Sequence, residues 1–148
     1  GFMSYHLACN LSNKIAAIAS VTGSMTPETY SSCNPAHPTP ILQIHGLLDT
    51  TVPYNGLSFM EGIPKVMRYW AEYNSCSSEP KESSIINTDQ GYIINIEEYN
   101  NCLNNVEVKL ILHSSMGHTW PRENNYGISA STEVWNFVSQ FNLYGKLN

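Results

Sequence analysis

The sequence predicts an α/β fold organised on a parallel sheet, and three observations carry that expectation. Short apolar runs recur at residues 15–22 (IAAIASVT), 40–45 (PILQIH) and 106–113 (VEVKLILH). Each has the length of a strand, and a strand covered on both faces reads as a nearly continuous apolar run. Segments with helical periodicity stand between and around them. Buried strands alternating with helices imply crossover connections between parallel neighbours.

Taken in order, residues 2–11 read as a helix, with Phe2, Met3, Leu7, Ala8 and Leu11 falling near one face. The run at 15–22 is the first strand. Residues 23–39, rich in Ser, Thr and Pro, read as a loop leading to the second strand at 40–45, which Gly46 ends. Residues 58–73 carry helical periodicity through Phe59, Ile63, Val66, Met67, Trp70 and Tyr73, with Pro64 early enough to cap or kink that helix. From residue 82 to 98 the texture changes, and two strands flank Asp89, Gln90 and Gly91 as an antiparallel hairpin. The third strand is 106–113, and an amphipathic helix at 129–143, with Val134, Trp135, Val138 and Phe141, closes the chain. There is no internal repeat and no low-complexity tract.

Composition narrows the function classes. The 148 residues fit one domain or a large part of one, long enough to bury a core. The net charge is −5, and the seven Lys and Arg are scattered, so a nucleic-acid partner is not expected. The apolar runs are far shorter than the roughly 20 residues that span a bilayer, and no membrane segment is expected. The first residues show no charged region followed by an apolar one, so they do not read as a signal peptide. Cys9, Cys33, Cys76 and Cys102 lack the CxxC spacing of a zinc ribbon or a thioredoxin-type site. An even count at long spacing suits two disulfides, with three pairings open, and hence an oxidising compartment, extracellular or periplasmic. Buried free thiols in a cytosolic chain are the alternative. The other histidines, His6, His37 and His113, have no metal-ligand spacing, and no metal or cofactor is expected.

In open parallel sheets the reactive groups lie beyond the carboxyl ends of the strands. Two polar clusters occupy such positions. Asp49 lies in the loop after the second strand (HGLLDTTVPY), and His118 in the loop after the third (SSMGHTWP). A carboxylate followed later by a histidine is the acid-then-base order of a hydrolytic triad. The carboxylate fixes the imidazole tautomer, and the other ring nitrogen takes a proton from a nucleophile. A single Asp in a loop is more often a turn residue, and a single His more often a hydrogen-bonded or surface group. Their joint placement after consecutive parallel strands is what makes the pair a candidate. His45, at the end of its strand, reads as a hydrogen-bonding residue of the loop. Tyr54 and Trp120 are candidates for lining an acyl or aryl pocket, with plain packing as the alternative.

These stretches resemble a known family. Residues 45–56, HGLLDTTVPYNG, resemble the acid loop of the polyhydroxybutyrate depolymerase and feruloyl or acetylxylan esterase-like α/β hydrolases, and residues 117–121, GHTWP, resemble their histidine loop. The opening GFMSYHLAC resembles the helix after the GxSxGG nucleophile elbow, and residues 70–76, WAEYNSC, a Trp-containing helix that ends in Cys. Ser114, Ser115 and Met116 stand where the family carries a Gly-rich run.

The resemblance implies that Asp49 is the triad acid and His118 the general base. It places the nucleophilic Ser about three residues before Gly1, together with the oxyanion hole, on a strand-to-helix turn that the chain does not contain. Residues 1–148 are then expected to be a single partial domain. It would be the C-terminal portion of an α/β-hydrolase fold, holding the last three parallel strands with helices and an inserted antiparallel hairpin. The expected activity is that of a secreted serine esterase or depolymerase, missing here for want of its nucleophile. The expected partner is an ester substrate: acetyl or feruloyl groups on plant polysaccharide, or a short hydroxyalkanoate polyester. Cys9–Cys33 and Cys76–Cys102 are the expected disulfides. The competing readings are a non-catalytic binding module that keeps the architecture and a prolyl-oligopeptidase-type peptidase fragment.

Overall fold

A computed structural model of the protein describes residues 1–147. Five strands form one mixed sheet in the order β1-β2-β5-β4-β3. Strands β1 (Ile18–Val21), β2 (Ile41–Gly46) and β5 (Val108–His113) run parallel, while β3 (Lys81–Asn87) and β4 (Tyr92–Tyr99) form a hairpin that joins antiparallel to β5. The expected hairpin is therefore an extension of the sheet itself. Gly91, at a φ of +69°, closes its turn, where the missing Cβ removes the left-handed penalty.

Two apolar layers enclose the parallel strands. On one face α1 (Phe2–Asn10) and α3 (Ile63–Tyr73) pack on Ile18, Ile41, Val108 and Leu110. On the other, α5 (Ala130–Val138) brings Phe137 against Leu42, Ile44 and Ile111. Every residue of β2 is buried, which is why Ile41, Leu42 and Ile44 are apolar without alternation, and Gln43 and His45 are its buried polar exceptions. Helix α3 turns Ile63, Val66, Met67, Trp70 and Ala71 inward, the i, i+3, i+4 spacing of a single helical face.

Several elements differ from the sequence expectation, each for a local reason. Helix α3 begins at Ile63 rather than 58, because Pro64 lacks an N–H and fits only the first turn; Phe59 is left exposed. The buried face of α1 is Tyr5, Ala8 and Cys9, not the Met3 and Leu11 side, and Met3 is 64 % exposed. Cys9 is turned inward by its bond to Cys33. The loop at 23–39 contains α2 (Pro27–Ser32), whose cap Thr26 accepts a hydrogen bond from the Thr29 N–H. Thr-Pro-Glu at its start is a recognisable N-terminal signal. Strand β1 is confined to Ile18–Val21, and Thr22 at a φ of +52° ends it. Strand β5 starts at Val108, after a tight turn at Leu103–Asn105 in which Asn104 and Asn105 take positive φ. A short helix, α4 (Glu123–Tyr126), forms in the loop after His118. The closing helix stops at Val138, where the chain turns into the two-residue strands β6 (Phe141–Asn142) and β7 (Gly145–Lys146).

Two disulfides tie helices to neighbouring segments. Cys9–Cys33 joins α1 to the end of α2, and Cys76–Cys102 joins the segment after α3 to the exit of the hairpin. Beside the second, the buried Asn74 side chain accepts from the Thr39 N–H and donates to the Thr39 carbonyl. No helix among the described residues is long and apolar enough to cross a membrane.

Candidate active site

The site forms where β2 and β5 end together. Their register pairs Gly46 with His113, so the loops that follow leave the sheet side by side. Backbone hydrogen bonds join them: Leu47 N–H donates to the His113 carbonyl at 2.9 Å and Leu48 N–H to the Met116 carbonyl at 3.1 Å. Gly46 makes this approach possible. A Cβ there would lie 2.0 Å from the Met116 carbonyl oxygen, far inside contact distance. Gly46→Ala is expected to destabilise the fold by about 1–3 kcal/mol, the range for forcing extra atoms into packed space. Thermal unfolding of the purified variant checks this; an unchanged Tm would show that the two loops can separate freely.

The acid loop turns back on its own carboxylate. Asp49 Oδ1 accepts from the N–H groups of Thr51 at 2.9 Å and Val52 at 2.8 Å, an Asx-type turn that orients the side chain. Its other oxygen, Oδ2, lies 2.9 Å from His118 Nδ1. Asp49 is only 3 % exposed. Burial by itself raises its carboxyl pKa, yet the Val52 N–H, the His118 ring and the Thr51 N–H outweigh burial and hold it below the usual carboxylate range. The carboxylate is thus ionised and accepts only, so His118 carries its hydrogen on Nδ1.

The histidine loop is shaped by residues that composition alone did not mark. Met116 is fully buried in the α5-side core and anchors the loop from beneath. Buried His113 accepts the Ser115 N–H on Nδ1, and its Nε2 donates to the Tyr126 carbonyl. Burial lowers the pKa of His113, and the Tyr126 carbonyl opposes that only in part. Ser114 Oγ accepts from the Ile93 N–H of the hairpin. Above these anchors the His118 ring is 41 % exposed. Among the described residues no hydrogen bond engages its Nε2. A ring held at one nitrogen by a buried carboxylate and open at the other can take a proton from a hydroxyl and return it to a leaving group.

The chain is distantly homologous to known esterases. It is 33 % identical over 155 residues to feruloyl esterase B of Piromyces equi, an alignment covering 97 % of this chain and 26 % of that protein. It is 24 % identical over 148 residues to the bifunctional acetylxylan esterase/xylanase XynS20E of Neocallimastix patriciarum, covering 100 % of this chain and 20 % of that protein. The chain thus spans about a quarter and a fifth of the lengths of these relatives. No family model matches it.

Tyr54 is half-buried, with its ring centroid 6.2 Å from that of His45, and its pKa is pushed up to about 12 by burial, with Glu97 and Tyr99 adding to the rise. Trp120 is 52 % exposed, and its indole N–H donates to Ser131 Oγ at the start of α5. His45 is fully buried and lies 3.8 Å from Asp49 Oδ2. It hydrogen-bonds to the Val52 carbonyl of the acid loop. Gln43, a buried amide in the middle of β2, is not among the residues that the sequence marks as candidates. The signal available is an amide in the middle of a run otherwise apolar from Ile41 to Ile44, since an amide buried there must find partners.

Proposed function

We propose that this chain is the acid-and-base part of a secreted serine carboxylic ester hydrolase. The observation that carries the reading is the 2.9 Å contact between buried Asp49 and the exposed His118 ring, across loops 69 residues apart in sequence. In this reading Asp49 holds His118 in the Nδ1–H form, and His118 Nε2 takes the proton of a serine hydroxyl as that oxygen attacks the ester carbonyl. The alcohol leaves with the proton returned by His118, giving an acyl-enzyme that water hydrolyses through the same base. The serine and its oxyanion hole belong to the polypeptide that precedes Gly1. The resemblance of the opening helix to a post-elbow helix supports this. Residues 1–148 are then the C-terminal part of an α/β-hydrolase catalytic domain.

In this reading the substrate is an acetyl or feruloyl ester carried on plant polysaccharide, which the feruloyl esterase and acetylxylan esterase relatives support, or a short hydroxyalkanoate ester, which the resemblance of the acid and histidine loops supports. Tyr54 and Trp120 are the aromatic residues of this chain assigned to the acyl or aryl side of the pocket. Two disulfides fit an extracellular or periplasmic protein.

The test is active-site labelling of the full-length gene product with a fluorophosphonate. One serine upstream of Gly1 should be labelled, the label should depend on His118, and His118→Ala should remove p-nitrophenyl acetate hydrolysis. The isolated chain should show neither reaction. Labelling of a serine within residues 1–148, or a full-length protein with no esterase activity, would sink the reading.

A further inference from the structure

Behind the Asp49–His118 pair runs a line of buried polar side chains that the reaction above does not use. Alternation along β2 sends Gln43 and His45 to the same face as Ile41, the face covered by α1 and α3. Both are fully shielded from solvent. From α1 the Tyr5 hydroxyl donates to Gln43 Oε1 at 2.7 Å. Gln43 Nε2 donates to the Gly23 carbonyl at 3.0 Å and lies 2.9 Å from His45 Nδ1. His45 Nε2 lies 2.8 Å from the Val52 carbonyl, and the Val52 N–H donates to Asp49 Oδ1. The line therefore begins on the opening helix and ends on the turn that carries the acid.

One assignment of hydrogens satisfies every member. An amide nitrogen has two hydrogens and no lone pair to offer, whereas the amide oxygen only accepts. Reversing Gln43 would set its oxygen against the Gly23 carbonyl oxygen, two acceptors in a buried space. The amide nitrogen therefore faces both Gly23 and His45, and His45 Nδ1 must accept. A hydrogen on Nδ1 would collide with the amide hydrogens. His45 is thus a neutral ring with its hydrogen on Nε2, and that hydrogen is directed to Val52 rather than to the carboxylate 3.8 Å away.

We propose that Tyr5, Gln43 and His45 are positioning residues that lock the acid loop and keep the His45 ring neutral, so that the Asp49 carboxylate serves His118 alone. Burial acts in the same direction on His45, lowering its pKa against the opposing pulls of the Val52 carbonyl and Asp49. A cationic His45 would compete with His118 for one carboxylate and weaken the grip on the base. The consequence for turnover rests on the ester-hydrolase reading; the protonation state of His45 does not.

The experiment has two arms, both on the full-length protein. In the first, long-range proton–nitrogen NMR of the ¹⁵N-histidine-labelled protein reads the His45 tautomer, assigned by the signal lost in His45→Gln. A neutral ring with Nε2–H is expected; an Nδ1–H or cationic ring overturns the proposal. In the second, Gln43→Leu is expected to lower kcat on p-nitrophenyl acetate by roughly ten- to a hundredfold, the scale of a small misplacement of catalytic groups. KM should stay within about twofold, because the loss falls on orientation of the base rather than on binding. Tyr5→Phe, which removes one hydroxyl only, should lose about twofold to fivefold in kcat in a folded protein. His45→Gln retains an amide donor and should keep more kcat than His45→Leu. If Gln43→Leu fails to fold, the Tyr5→Phe rate and the NMR tautomer still decide. Unchanged kcat in the folded variants overturns the positioning role. A wild-type protein with no esterase activity overturns the function reading instead, and leaves the NMR arm standing.

Discussion

Asp49→Asn in the full-length protein is expected to lower kcat by about 10⁴-fold, the loss known for the equivalent change in a serine protease triad. The amide keeps an oxygen for the Thr51 and Val52 N–H groups, so the loop has no reason to move. Its NH₂ then faces His118 Nδ1, which must accept rather than donate. The ring hydrogen moves to Nε2, where it blocks the proton transfer that the reaction needs. The measurement is kcat on p-nitrophenyl acetate, with circular dichroism to show that the fold persists; activity within tenfold of wild type would remove Asp49 from the triad. The same variant changes acid stability in a defined direction. The folded Asp49 pKa lies below its unfolded value. It therefore adds stability that is present above the unfolded carboxylate range, near about pH 4, and is lost as pH falls through the folded value. Asp49→Asn should have a shallower fall in stability on the acid side.

Reduction of both disulfides is expected to unfold the isolated chain at room temperature. The bridges close loops with sequence separations of 24 and 26 residues. By the chain-entropy relation each is worth about 3–4 kcal/mol, so the pair rivals the 5–15 kcal/mol that holds a typical domain together. Urea unfolding with and without reductant, alongside the paired Cys→Ser variants, measures this. A urea midpoint that falls by less than about 1 M on full reduction would mean that the apolar layers suffice without the bridges.

What the sequence made legible was whatever repeats a period or sits at a strand end. The parallel strands at 15–22, 40–45 and 106–113 were visible because covering on both faces forces apolar composition. Asp49 and His118 were visible because they follow those strands on tight loops. Element ends were harder. Helix α3 starts at Ile63, five residues after the start its periodicity predicts, because Phe59 matches the helical spacing by chance while Pro64 fits only the first turn. The inner face of α1 differs from the one its periodicity predicts, since Tyr5 and Cys9 are drawn inward by Gln43 and Cys33, partners far away in sequence. The Tyr5–Gln43–His45 line was invisible for the same reason. No local pattern announces a buried amide whose partners come from three different segments.

The 2.9 Å contact between Asp49 and His118 also has a kinetic side. It closes a loop of 69 residues, and ordering such a loop costs about 4 kcal/mol in chain entropy before any contact repays it. Helices α1 and α3 and the β3–β4 hairpin are local structures that can form early, whereas the β2–β5 pairing must span the whole of α3 and the hairpin. The two halves of the site are therefore expected to meet late in folding. Until they do, the acid and the base are strangers, and a partly folded chain carries no assembled acid–base pair.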